Sequence, residues 1–171
     1  MRQRITMKKI YLIAIIFSAL ITSNFYKANA EKLEQDREQA RIEKMQSDLK
    51  LAISKANSTA KVKYSYTDEN FYFVWGLLDN QDDKTVIDLM AVSYCESQFK
   101  PKAFNPKNKN GTHDGGLWQI NSVHGLDTVF DPVDNRDKAL ELYDSNGLKD
   151  WRSSQHCWKN VLSEYEKITT A

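Results

Sequence analysis

Three regimes of apolar and polar positions succeed one another along the 171-residue chain. The first is an unbroken, mostly apolar run, Ile10–Thr22, set between a basic start and Ala28-Asn29-Ala30. A basic start, a short apolar run and small residues before a cut make residues 1–30 a secretory signal peptide, cleaved after Ala30. The run holds 13 residues before Ser23 and Asn24. That is short of the roughly 20 a spanning helix needs, so a membrane enters the picture only if the leader is retained. The second regime, Glu31–Ala56, is dense in Glu, Lys, Arg, Gln and Ala, with Leu33, Ala40, Met45, Leu49, Ala52 and Ile53 thinly spread and no Gly or Pro. It predicts an exposed, charged helix of roughly 36 Å, at 1.5 Å per residue, with a narrow apolar stripe. Such a helix, closed by a linker over 57–65, serves as a spacer or as an arm for a protein partner.

The third regime has the helical period of a core. Thr67 and Asp68 offer N-caps for an aromatic helix near Glu69–Leu78 carrying Phe71, Phe73, Val74, Trp75, Leu77 and Leu78, expected to be a core helix. Asp82 or Asp83 caps a second helix from Lys84 to Glu96, where Val86, Leu89, Met90, Ser93 and Tyr94 recur at helical spacing. Between Phe99 and Gly116 the period disappears and turn formers take over, with Asn110-Gly111 marking a small two-stranded hairpin. Helix returns over Val133–Asn146, with Tyr143 as its core aromatic, and Asp150 opens a last helical segment carrying Trp151 and Trp158. The expected organisation is a leader over 1–30, a charged helical spacer and linker over 31–65, and a mostly α domain over 66–171 with one hairpin insert.

Charge narrows the function classes. The formal net charge of +1 averages a leader with five basic and no acidic residues and a remainder with 19 basic and 23 acidic ones. A mildly acidic mature chain is a poor ligand for phosphate backbones, which excludes non-specific nucleic-acid binding. Cys95 and Cys157 are either two buried thiols or, in an exported chain with an even count, a bridge; the bridge is the expectation. His113, His124 and His156 are too scattered for a zinc set, and the asparagine-rich loop starts on Pro106 where a calcium-binding loop needs a ligand. No metal or cofactor is expected.

One carboxyl stands out. Glu96 ends an apolar helix, where the negative end of the helix dipole and apolar neighbours both disfavour ionisation, so it can stay protonated and donate. A glutamate in a last helical turn is ordinarily just solvated, and it is the residues after this one that favour the acid. Glu96-Ser97-x-Phe99-x-x-x-Ala103, followed by Asn105, Asn108 to Gly111, then Asp114-x-Gly116-Leu117-Trp118-Gln119-Ile120-Asn121-Ser122, resembles the lysozyme superfamily. It is similar both to bacterial soluble-lytic-transglycosylase domains and to chicken-type lysozymes, and Asp131-Pro132-x-x-Asn135-x-x-x-Ala139 resembles a helix of the same families. The resemblance spans Val86 to Trp158 and implies an α+β lysozyme-like fold acting on peptidoglycan glycan strands outside the cytoplasm, in the periplasm, the envelope or beyond.

By that resemblance Glu96 is the general acid, Asp114 the second carboxylate, and Ser97, Gln119 and Asn121 cleft residues, with Trp118 able to stack on a sugar face. The late tyrosine usual in transglycosylases has no counterpart in Asp150–Trp158. Asp114-Gly115-Gly116 reads as a flexible turn, which favours a lytic transglycosylase leaving 1,6-anhydro ends over a hydrolytic muramidase that needs a rigid carboxylate pair. A non-catalytic wall-binding or envelope-assembly protein is the third reading.

Overall fold

The computed structural model describes the backbone of residues 7–60, 65–125 and 127–171, with side chains from Leu20 onward, Ile21 excepted. The start of the leader and the middle of the expected linker lie outside the described residues. The chain divides into two compact units, the second covering Ser47–Ala171.

No Gly or Pro stands between Met7 and Thr59, and a single helix, α1 (Met7–Thr59), runs through them. The charged helix expected over 31–56 is its later part. Every side chain over 22–41 is exposed, and the pairs Arg41–Glu38 and Lys27–Glu31 lie along this surface. Among the described residues no helix is long and apolar enough to cross a membrane.

Exposure does not extend to the helix end. Leu49, Ala52, Ile53 and Ala56, spaced three, one and three apart on one face, are buried in the second unit, which corrects the expectation of an arm exposed throughout. A narrow stripe suffices there because small alanines let the helix approach closely. Lys50 Nζ also reaches Asp68 at 2.7 Å and lies 4.3 Å from the centroid of the Tyr72 ring.

Within the second unit, α2 (Asp68–Leu77) is capped by Thr67, whose side chain accepts from Asn70 N, and α3 (Asp83–Ser97) by Asp82, which accepts from Thr85 N. Helix α3 is buried from Thr85 to Cys95 on all its faces, as a helix at the centre of a core must be. Helices α2, α4 (Pro132–Asn146) and α5 (Gln155–Thr169) complete the helical layer, α2 and α5 packing on α3 and α4 on α2. A 3-10 turn over Gly147–Ser154 separates α4 from α5, where one helical segment from Asp150 was expected.

The insert is a three-stranded antiparallel sheet: β1 (Phe104–Asn105), β2 (Asp114–Gly115) and β3 (Ile120–Asn121), in that order. Phe104 pairs with Gly115, Asn105 with Asp114, and Asp114 with Asn121. The Asn110-Gly111 turn does join two strands, and a third, in the Gln119-Ile120-Asn121 stretch, extends the expected two-stranded hairpin. Tyr143 is half-exposed on α4, not a core aromatic. Its hydroxyl donates to Asp88 Oδ2 at 2.6 Å and so ties α4 to α3.

The sheet is fastened to the helices by one buried polar side chain. Asn135, fully buried on α4, donates to Gly115 O and Val129 O and accepts from Trp118 N. Gly116 passes directly over it at φ +80°, and any Cβ there would fall on the Asn135 amide and the Val129 carbonyl. Three indoles continue the bracing: Trp118 donates to Leu89 O, Trp151 to Trp118 O and Trp158 to Trp151 O, linking α5, the 3-10 turn, the sheet connection and α3.

Candidate active site

The last turn of α3 and the sheet face each other across a cleft of about 300 Å³. Glu96 lines it from α3; Asp114, Ile120 and Asn121 line it from the sheet, Gln119 from the connection before β3, and Trp151 and Ser153 from the 3-10 turn. Helix α3 can end at this point because Gln98 takes up the left-handed conformation, φ 56°, and its N–H closes onto Tyr94 O.

Glu96 sits where the packed helix meets the cleft. Burial is the main reason its carboxyl is pushed up to about 7; the negative charge of Asp114 acts in the same direction, and a hydrogen bond from Ser154 opposes both. The hydroxyl of Ser154 lies 2.6 Å from Glu96 Oε1. Beneath this pair, Cys95 is bridged to Cys157, with Cα atoms 5.9 Å apart, so the end of α3 and the start of α5 are covalently joined. The expected bridge is therefore present.

Asp114 is held differently. Its Oδ1 accepts from Asn121 Nδ2 at 2.6 Å, and its Oδ2 accepts from Asn108 Nδ2 at 2.9 Å and Asn105 Nδ2 at 3.1 Å. Strand register delivers two of these donors, because Asn105 and Asn121 are the cross-strand partners of Asp114 on either side and project from the same face. Asn108 comes from the intervening loop, which Asn108 N closes onto Thr112 O at 2.7 Å. The turn at Asp114-Gly115-Gly116 is thus a rigid shell around a carboxylate. The flexibility expected from its glycines is absent, because Gly115 is in a strand and Gly116 is packed on Asn135.

Residues 80–154 match the family described as the lysozyme-like domain. Over this stretch the chain is similar to that family. A curated relative, lysozyme C of Equus asinus, is 26% identical over 109 residues, covering 52% of this chain and 83% of its own length. Domains of this kind are in general peptidoglycan-acting glycosidases or transglycosylases.

Of the residues singled out by sequence, the fold brings Glu96, Asp114, Gln119 and Asn121 to one cleft. Gln119, at φ 47°, donates to Ala103 O and Gly116 O at 3.0 Å each, so its amide nitrogen braces the sheet connection. Two others are not at the surface of the cleft. Ser97 is buried and its hydroxyl faces Ser93 O and Leu117 O, which fastens the helix end to the sheet connection. Trp118 is fully buried with its indole on Leu89 O, and no sugar can reach its faces. The adjacent positions on the chain misled because a left-handed turn at Gln119 sends the two side chains to opposite sides.

Sequence reasoning missed Ser154, the clamping role of Asn105 and Asn108, and the cleft residues His124 and Asp150. The asparagines carried a signal, since three of them bracket Asp114 in a short segment, but they read as turn formers. Ser154 carried none. Among the described residues no cluster of His, Cys, Asp or Glu is placed to hold a metal.

Proposed function

We propose that the lysozyme-like domain is a hydrolytic muramidase cleaving the β-1,4 bond between N-acetylmuramic acid and N-acetylglucosamine, with Glu96 as acid and Asp114 as the second carboxylate. The observation that carries this is the pair of opposite environments in one cleft: a buried carboxyl held up near neutrality and a carboxylate fixed by three amide donors. A buried acid and a carboxylate held by amide donors, facing one cleft, divide the acid and anion roles between them, as lysozymes do.

The chemistry follows from those roles. Glu96 donates its proton to the glycosidic oxygen as the C1–O bond breaks, and the electron pair of that bond leaves with the oxygen. Positive charge grows on C1 and the ring oxygen, facing Asp114. A carboxylate has about four acceptor positions, and three are occupied by amides, which leaves one on Oδ1. Oδ1 therefore closes on C1, forming a glycosyl ester; water, deprotonated by Glu96, then displaces Asp114 and restores both groups. Gln119 and Asn121 contact the acetamido groups, and the leader delivers the domain outside the cytoplasm, where the exposed part of the helix, residues 31–41, supplies a surface for a protein partner.

The rigid shell around Asp114 supports the hydrolase over the lytic transglycosylase, whose products end in 1,6-anhydro groups and which needs no held second carboxylate. Mass spectrometry of muropeptides released from purified peptidoglycan separates them. Reducing ends from the unmodified chain and a loss of at least 100-fold in Asp114→Asn are expected. Anhydro ends would overturn the hydrolytic assignment, and saturable binding without released fragments would mark a wall-binding protein.

A further inference from the structure

A serine at the start of a helix ordinarily turns its hydroxyl to the first free N–H groups of that helix. Ser154, preceding α5, makes no such bond. Its Oγ lies instead 2.6 Å from Glu96 Oε1, a residue 58 positions earlier, and 3.3 Å from Trp151 O. Two features fix that approach. The Cys95–Cys157 bridge joins the neighbour of Glu96 to a residue one helical turn beyond Ser154. Trp151, three residues before Ser154, is pinned by its indole to Trp118 O and accepts the indole of Trp158 on its carbonyl. Trp151 and Ser153 line the cleft beside Glu96, whereas Ser154 is not among its lining residues.

We propose that Ser154 is a positioning residue for the acid: by donating to Oε1 it leaves Oε2 to carry the proton into the cleft, and it stabilises the carboxylate once that proton has moved to the glycosidic oxygen. This rests on the reading of Glu96 as the glycosidic acid. A hydroxyl has one proton to give, and it goes to Oε1 at 2.6 Å and not to Trp151 O, which at 3.3 Å is the longer and weaker contact. While Glu96 is neutral, Oε1 accepts that proton as a carbonyl oxygen. When Glu96 ionises, the same bond becomes charge-assisted and strengthens. Ser154 thus favours the product of proton transfer over its reactant and offsets the burial that makes Glu96 a weak acid. The charged and titratable groups facing Glu96 across the cleft are Asp114 from β2, Asp150 from the 3-10 turn and His124 from the turn after β3; none of them takes the place of a donor fixed on Oε1.

Carbon-13 NMR titration of the Glu96 carboxyl in the full chain tests the bond without reference to activity. In Ser154→Ala the midpoint of Glu96 rises, and in Ser154→Thr, which keeps the hydroxyl, it returns toward that of the unmodified protein. On purified peptidoglycan at about pH 5, Ser154→Ala lowers kcat about tenfold with KM unchanged, and its alkaline limb moves up with the NMR midpoint. A midpoint and an alkaline limb unmoved in Ser154→Ala overturn the proposal, as does a fall in kcat that Thr does not rescue. If the alanine variant does not fold, Ser154→Gly, equally without a hydroxyl, is read against the same expectations. A chain that cleaves nothing while the Glu96 midpoint still responds to Ser154→Ala would refute the role of Glu96 and leave the hydrogen bond standing, so the two failures are distinguishable.

Discussion

Replacing Glu96 by Gln should remove activity and, above neutral pH, make the protein more stable. The carboxyl ionises at about 7 in the folded protein against an ordinary value of 4.5, because folding withdraws it from water. Between those two values the folded state keeps a proton that the unfolded chain has released. Stability contributed by the neutral acid is therefore complete below about pH 4.5 and is lost as pH rises through about 7. The difference between the two values corresponds to about 3 kcal/mol as an upper figure. Gln is close in shape to the neutral acid, still accepts the Ser154 hydroxyl on its oxygen, and cannot ionise. Thermal unfolding of both proteins at pH 5, 7 and 9 and constant ionic strength should give similar Tm values at pH 5. At pH 9 the variant should be higher, by up to about 10 °C. Comparing the two chains at each pH cancels the histidines and other groups they share. An equal Tm difference at all three pH values, or a less stable variant at pH 9, would refute the claim that burial holds the Glu96 proton.

Gly116→Ala should destabilise the domain by about 3 kcal/mol, read from urea unfolding, because the new Cβ meets Asn135 and the Val129 carbonyl and φ +80° disfavours a side chain. Deleting residues 1–46 should leave cooperative melting of the second unit in calorimetry. Deleting 1–60 should abolish it, since Leu49 and Ile53 leave with Ala52 and about 5 kcal/mol of burial is lost. Replacing Cys95 and Cys157 together by Ser should lower unfolding free energy by about 4 kcal/mol, the entropy of a loop whose ends are 62 residues apart.

Local pattern alone determined much of this protein. The N-caps at Thr67 and Asp82, the helix end that carries Glu96, the stop at Gly147 and the Asn110-Gly111 turn are set by interactions within a few residues, and each is where the sequence placed it. Glu96 could be singled out because the residues after it resemble the lysozyme superfamily; its helix-end position and apolar neighbours alone also fit an ordinary solvated acid. What needed the tertiary structure is everything that depends on distant partners. Burial of Leu49, Ala52 and Ile53 depends on a core that forms elsewhere in the chain, and their thin stripe looked like a solvated face. Trp118 and Gln119 are neighbours with opposite fates, decided by one left-handed turn. The rigidity of Asp114 comes from two cross-strand registers and a closed loop, and residue identities alone read as flexibility. Ser154 meets Glu96 because a disulfide and three indoles fix the 3-10 turn against α3. Periodicity reports which face of an element is apolar, whereas the hydrogen bonds that hold and tune a catalytic carboxyl join residues whose separation along the chain carries no information until the chain has closed.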